Sequence, residues 1–235
     1  MNKPDWDAIH RSLQKWRKGL QAERTEAGAE KEPSVTTVAE NYSHEPWAVL
    51  VSTILSLRTK DEVTLDSSVR LLAEAPGPAE LAALSEEQVA RLAYPAGFYR
   101  TKAANLKKIA AILLEQYNGK VPADMDALLA LPGVGRKTAN LVLIEAFDLP
   151  GICVDVHVHR ISNRCGWLRT ENRDGTKTPE ETEMTLREIL PQKYWKGINA
   201  LLVLYGQNLC RPVSPYCSRC VIKDHCKRTG VGKSR

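Results

Sequence analysis

Four late cysteines, Cys210, Cys217, Cys220 and Cys226, follow the spacing C-x6-C-x2-C-x5-C. Thiolates are metal ligands, and nothing in the chain marks it as secreted, so a ligand set is expected here rather than disulfides. Structural zinc sites usually carry two close ligand pairs, whereas this motif has one C-x2-C flanked by wider gaps. Spacing alone leaves both zinc and an all-cysteine iron–sulfur cluster open. Cys153 and Cys165 stand in apolar or helical surroundings that suit buried thiols.

A second chemical cluster lies upstream, in LPGVGRKTANLVLIEAF (residues 131–147). Pro132 ends a short helix, Gly133 and Gly135 permit backbone angles closed to other residues, and Arg136 and Lys137 begin the next helix. The first-turn amides of a helix lack intrahelical partners and lie at the positive end of its dipole, which attracts phosphate. Glycine also lets a nucleic-acid backbone approach those amides closely. By itself the pattern equally describes an ordinary tight turn between helices, with Lys137 pairing with phosphate like any nearby cation.

The elements that must position these groups read as helices. Residues 6–20 form an amphipathic helix, and residues 21–43, polar and rich in alanine and glutamate, read as a loose connection containing a boundary. Pro46 suits the first turn of an apolar helix. Ser85 with Gln88 and Thr178 with Glu181 make capping boxes, the second with Pro179 opening its helix. Ala103, Leu106, Ala110 and Leu113 fall on one helical face, which Asn118-Gly119 ends. Only GICVDVHVHRIS alternates like a strand, with Val154, Val156 and Val158 at period two. One strand makes no sheet, so the fold class is all-α.

No apolar run reaches the roughly 18–20 residues of a membrane span, and the amino terminus lacks the apolar core of a secretion signal. A cytoplasmic location at the nucleoid is expected. The formal charge is +5, from 33 basic and 28 acidic residues. Residues 207–235 hold seven cations against Asp224 alone, 7 − 1 = +6, so the remainder is 5 − 6 = −1. That concentrated charge fits a polyanionic partner and equally a solvated basic terminus.

Taken in order, LPGVGRKTAN, VDVHVHRISNR and the four late cysteines resemble the helix-hairpin-helix base-excision glycosylases of the endonuclease III type, from about Pro46 to Cys226. The resemblance implies a six-helix barrel domain over 39–149 and an iron–sulfur domain built from 1–38 and 150–235. It implies a 4Fe-4S cluster on Cys210, Cys217, Cys220 and Cys226, folding a loop that carries Arg219, Lys223 and Lys227 against phosphate. It implies that Lys137 is the nucleophile of a bifunctional glycosylase and AP lyase acting, as a monomer, on oxidised pyrimidines and abasic sites in double-stranded DNA. Arg136 beside it and the helix dipole would both favour the neutral amine. Asp155 matches the family's catalytic carboxylate, and its segment is then a turn into a helix rather than a strand. Gly133, Gly135, Arg136, His157 and Arg160 match positions that order the loop or bind backbone, while His159 does not match and is assigned to surface or packing.

Two further segments match loops that fill the gap left by an extruded nucleotide: LSLRTKD (55–61) and GFYRTKA (97–103). Here Arg58 stands where glutamine is usual and Phe98 where leucine is usual. Arg58 suits hydrogen bonding to an orphaned guanine and Phe98 suits a stacking wedge. A solvated arginine and a core phenylalanine describe them equally well. Alternatives to the leading function are a monofunctional mismatch glycosylase, against which Lys137 speaks, and a non-catalytic iron–sulfur DNA-binding module.

Overall fold

The computed structural model of the chain describes residues 4–25, 34–170 and 173–235. They form two compact units: Lys31–Gly151, and Met1–Glu30 together with Ile152–Arg235. The helix α1 (Trp6–Thr25) opens the split unit. The continuous unit follows, with α2 (Ser34–Asn41), α3 (Pro46–Ser56), α4 (Asp61–Glu74), α5 (Pro78–Ala83), α6 (Glu86–Ala93), α7 (Tyr99–Gln116), α8 (Met125–Leu129) and α9 (Arg136–Phe147).

The centre of the continuous unit is α3, in which every residue from Trp47 to Leu55 is buried. A helix apolar on all sides must be surrounded, and α3 packs against α2, α4, α7 and α9. Its start is fixed by Pro46 in the first turn and by Glu45, whose carboxylate accepts the Ala48 N–H at 2.8 Å. Along α7 the expected face is buried through Ala103, Leu106, Ile109, Ala110 and Leu113, and it lies against α3, α5 and α6. The Lys107 ammonium, also on α7, donates to the Ala82 carbonyl at 2.6 Å and so binds the end of α5. Ser85 and Gln88 make both halves of their capping box. Residues 21–43 are not simply a connection: α1 runs on to Thr25, and α2 packs on α3 and α4 through Val35 and Val38. The remaining polar stretch, 26–33, lies outside the described residues.

The split unit contains α1, α10 (Val156–Cys165), a two-residue antiparallel pair β1 (Arg169–Thr170) and β2 (Arg173–Asp174), α11 (Pro179–Ile189) and α12 (Trp195–Asn208). Its core joins Ile9 and Leu13 of α1, Val158 and Ile161 of α10, and Leu201, Leu202 and Tyr205 of α12. The period-two alternation around Val156 does not make a strand. Val154, Val158, Ile161 and Cys165 are buried at helical spacing while Val156 is 68% exposed, so burial selects the helical period. At α11 the Thr178 hydroxyl accepts the Glu181 N–H as expected, but the Glu181 carboxylate accepts from Lys177 N–H at 2.9 Å rather than from the cap amide. With a single two-residue pair among the described residues, the fold is all-α. No described helix is long and apolar enough to cross a membrane.

Leu106 lies fully buried on the central face of α7. Leu106→Ala is expected to lower stability by about 2–5 kcal/mol, from lost burial plus a residual cavity, read from denaturant unfolding monitored by circular dichroism.

Candidate active site and cluster cavity

The turn before α9 is built from α8 outward. Asp124 accepts the Ala127 N–H at 2.9 Å to start α8, and the Val134 N–H reaches the Leu131 carbonyl at 3.1 Å to close the turn. Gly133 sits at φ +77, and a Cβ there would lie 2.5 Å from Asn105 Nδ2 of α7. The left-handed angle favours glycine, and any larger residue would also have to push the Asn105 amide aside. Gly135 differs: it is the N-cap of α9 at φ −98, and a Cβ there would meet nothing within 4 Å. The fold itself does not require glycine at 135, and its exposed backbone faces open space. Thr138, Ala139, Asn140, Val142 and Leu143 bury one side of α9, and Asn140 Nδ2 donates to the Arg136 carbonyl at 3.0 Å. That buried side leaves Lys137 exposed on the first turn, beside partly buried Arg136.

In the same unit, Arg58 and Phe98 both adopt left-handed backbone angles, φ 53 and φ 57. The Arg58 guanidinium lies 5.5 Å from the Phe98 ring centroid, within cation–π range. Phe98 is 62% exposed, so it does not pack in the core. The loops meet closely, since a Cβ at Gly97 would lie 2.4 Å from the Arg58 carbonyl oxygen. Behind them stands Lys102, buried and bonded to the Leu55 and Leu57 carbonyls. Sequence reasoning passed over it. Its only signal was a lysine in the first turn of a helix, where the dipole disfavours a cation.

In the split unit, Asp155 is the N-cap of α10, its Oδ1 accepting the His157 and Val158 N–H groups at 2.9 Å each. No hydrogen bond among the described residues engages Oδ2. One turn on, Arg160 Nη2 donates to the Cys210 carbonyl at 2.9 Å and meets His157 Nδ1 at 3.0 Å. Both side chains lie over Gly206 of α12, where a Cβ would come within 2.4 Å of His157 Nδ1. Arg160 thus ties α10 to the loop that begins at Cys210. His159 bonds Thr182 at 2.7 Å and packs α10 on α11, with burial lowering its pKa.

Arg164, unremarked in the sequence, is buried. It donates to Cys210 Sγ at 3.3 Å and to the carbonyls of Arg211 and Pro212. The four late cysteines line one cavity with Cys165 and Tyr205. The Tyr205 hydroxyl lies 3.1 Å from Cys220 Sγ, and the Arg228 N–H donates to Cys226 Sγ at 3.4 Å. The Cys165 thiol bonds Cys226 and pulls its pKa down to about 6. Thus Cys210 and Cys226 receive N–H donors and Cys220 a hydroxyl partner, the surroundings that thiolate ligands need, and no disulfide links any of the six cysteines. Among the described residues no three His, Cys, Asp or Glu side chains form a single-ion site. Arg219, Lys223 and Lys227 are exposed on the surrounding loop. The last loop is fastened to α10 by Lys227 N–H to the Cys165 carbonyl at 3.1 Å and Thr229 N–H to the Arg164 carbonyl at 2.9 Å.

Comparison with known proteins decides the family. Residues 51–192 match the HhH-GPD superfamily of base excision DNA repair proteins. The chain belongs to this superfamily. Endonuclease III of Thermotoga maritima is 45% identical over 194 residues, 81% of this chain and 88% of the relative. Endonuclease III of Escherichia coli K12 is 38% identical over 198 residues, covering 84% and 90%. A solved trapped endonuclease III–DNA covalent intermediate, an estranged-adenine complex, superimposes with TM-score 0.69 at 35% identity, covering 78% of this chain and 84% of that one. With these relatives matched along most of their length, this HhH-GPD protein is a bifunctional DNA glycosylase and AP lyase of base excision repair.

The two glycines of the turn are expected to respond differently to alanine. Gly135→Ala should change stability by less than about 1 kcal/mol, whereas Gly133→Ala should cost more than about 1 kcal/mol and displace Asn105. Denaturant melts of the two variants check the contrast.

Proposed function

We propose that this chain removes oxidised pyrimidines from double-stranded DNA and then cuts the abasic strand, acting as a monomer with Lys137 as nucleophile. The observation that carries this reading is the first turn of α9: an exposed lysine two residues beyond a glycine that the fold does not itself require. Without a side chain at Gly135, the turn leaves room for something external to lie closely against its backbone. A phosphodiester meets that description, drawn to the amide-rich, positive end of α9.

In this reading the Lys137 Nζ lone pair attacks C1′ of the extruded nucleotide, the glycosidic bond breaks, and the base leaves with a proton. Ring opening gives an imine between Nζ and C1′. Removal of a C2′ proton then expels the 3′ phosphate by β-elimination. Extrusion of the nucleotide costs a few kcal/mol, which contacts to its neighbours must offset. DNA lying over α9 would exclude water from the exposed amine. Asp155 supplies negative charge to the cation-like sugar and accepts the proton from the attacking amine. Its role as helix cap leaves Oδ2 available for that work.

Cys210, Cys217, Cys220 and Cys226 would hold a 4Fe-4S cluster, which suits the donors arranged around their sulfurs. When bound, the cluster supplies structure rather than a bond-making step. Arg160 and Arg164 hold the entry to its loop, and Arg219, Lys223 and Lys227 offer three cations to phosphate. The trapped covalent complex of a 35% identical endonuclease III supports a covalent route here.

Lys137→Gln is expected to abolish nicking of an abasic duplex while leaving its binding within a few-fold. Nicking that survives the change would remove Lys137 from the role. Asp155→Asn retains a good N-cap, so melting should move by less than about 1 kcal/mol while single-turnover base release falls by roughly a hundred-fold or more. Replacing Arg219, Lys223 and Lys227 with alanine should reduce the slope of log binding against log salt by about 3. Purified protein should be brown, absorb visible light and contain iron. Stoichiometric zinc without iron would contradict the cluster assignment.

A further inference from the structure

Lys102 is a charged side chain in a place that ordinarily rejects one. It is 6% exposed, and it lies in the first turn of α7, where the helix dipole opposes positive charge. Burial lowers its pKa to about 8, yet the ammonium still predominates at pH 7. No carboxylate pairs with it among the described residues. Three oxygens hold it instead: the Leu55 carbonyl at 2.7 Å, the Leu57 carbonyl at 2.6 Å and Thr59 Oγ1 at 2.9 Å. An ammonium has three N–H donors and all three are used. Two of the acceptors are carbonyls at the end of α3, the negative end of that helix.

Thr59 completes a knot between two loops. Its hydroxyl donates to the Leu57 carbonyl at 3.3 Å, and its oxygen accepts from Lys102 and from the Gly97 N–H at 3.0 Å. One donor and two acceptor sites exhaust what a hydroxyl offers. Arg58 lies between the two bonded residues Leu57 and Thr59, and Phe98 directly follows Gly97. Both hold left-handed backbone angles, and Arg58 stacks on the Phe98 ring. A left-handed non-glycine residue persists only where its surroundings enforce it.

We propose that Lys102, through Thr59, is a positioning residue that holds Arg58 and Phe98 as one preset pair, so that the identity of the base opposite the lesion is read by a prearranged surface. The proposal rests on the reading of these two loops as the elements that fill the gap in the duplex. Lys102 itself touches no reacting atom. Its effect should therefore appear only on substrates with an opposite strand.

The test measures AP lyase kinetics on an abasic site in single-stranded DNA and in duplexes with guanine or adenine opposite. Lys102→Met should raise KM on the duplexes by roughly ten- to a hundred-fold and bring the guanine-to-adenine ratio towards one. The single-strand kcat should stay within about twofold. Thr59→Val should reproduce that pattern and Thr59→Ser should restore it, which keeps the test available if Lys102→Met does not fold. If Arg58→Ala and Phe98→Ala both leave the guanine-to-adenine ratio unchanged, the two loops do not read the opposite base and the proposal falls with that reading. If they shift it while folded Lys102→Met and Thr59→Val do not, the bracing role alone is overturned. Equal losses on single strands and duplexes in Lys102→Met and Thr59→Val would also overturn it, because a general structural defect acts on both.

Discussion

The left-handed turn at Gly133, close under Asn105, is the constraint on which the lysine site depends. Gly133 holds φ +77, an angle that residues with side chains rarely adopt, and a Cβ there would have to push aside the Asn105 amide 2.5 Å away. That turn ends α8 and starts α9 at Arg136, and the buried side of α9 then fixes which way its first turn faces. Asn105 belongs to α7, as do Lys102 and Lys107, which hold the ends of α3 and α5. One helix thus sets the turn before Lys137, the loops carrying Arg58 and Phe98, and the packing of the continuous unit. Rigid elements place functional groups more reproducibly than mobile loops.

The split unit has a corresponding organiser in α10. Its N-terminus is capped by Asp155, Arg160 in its middle and Arg164 in its last turn reach the loop at Cys210, and its C-terminus receives the loop that follows Cys226. Gly166 ends the helix at φ +75, with the Lys227 side chain lying across it. The cap that starts the helix and the loop that follows Cys226 thus lie at opposite ends of one helix.

Much of this was legible in residue types and spacing. The start of α9, the face of α7, the stop at Asn118-Gly119 and the capping box at Ser85 follow from local chemistry, and the structure carries each of them. Period-two valines misled around residue 156 because alternation from Val154 to Val158 cannot distinguish a strand from a capped helix whose first residue points outward. Burial of Val158 and Ile161 distinguishes them, and burial is a property of the assembled fold. Lys102 and Arg164 were invisible for a related reason. Most of their partners are backbone carbonyls more than forty residues away in sequence, and a carbonyl leaves no mark on residue identity.

The central claim is that one amine, Lys137 Nζ, becomes bonded to the sugar. Borohydride reduction during turnover on an abasic duplex, followed by mass mapping of the proteolysed protein, tests it directly. The expected result is a reduced sugar remnant on Lys137 and no adduct in Lys137→Gln. An adduct on a different amine, or none from protein that is cutting DNA, would contradict the account.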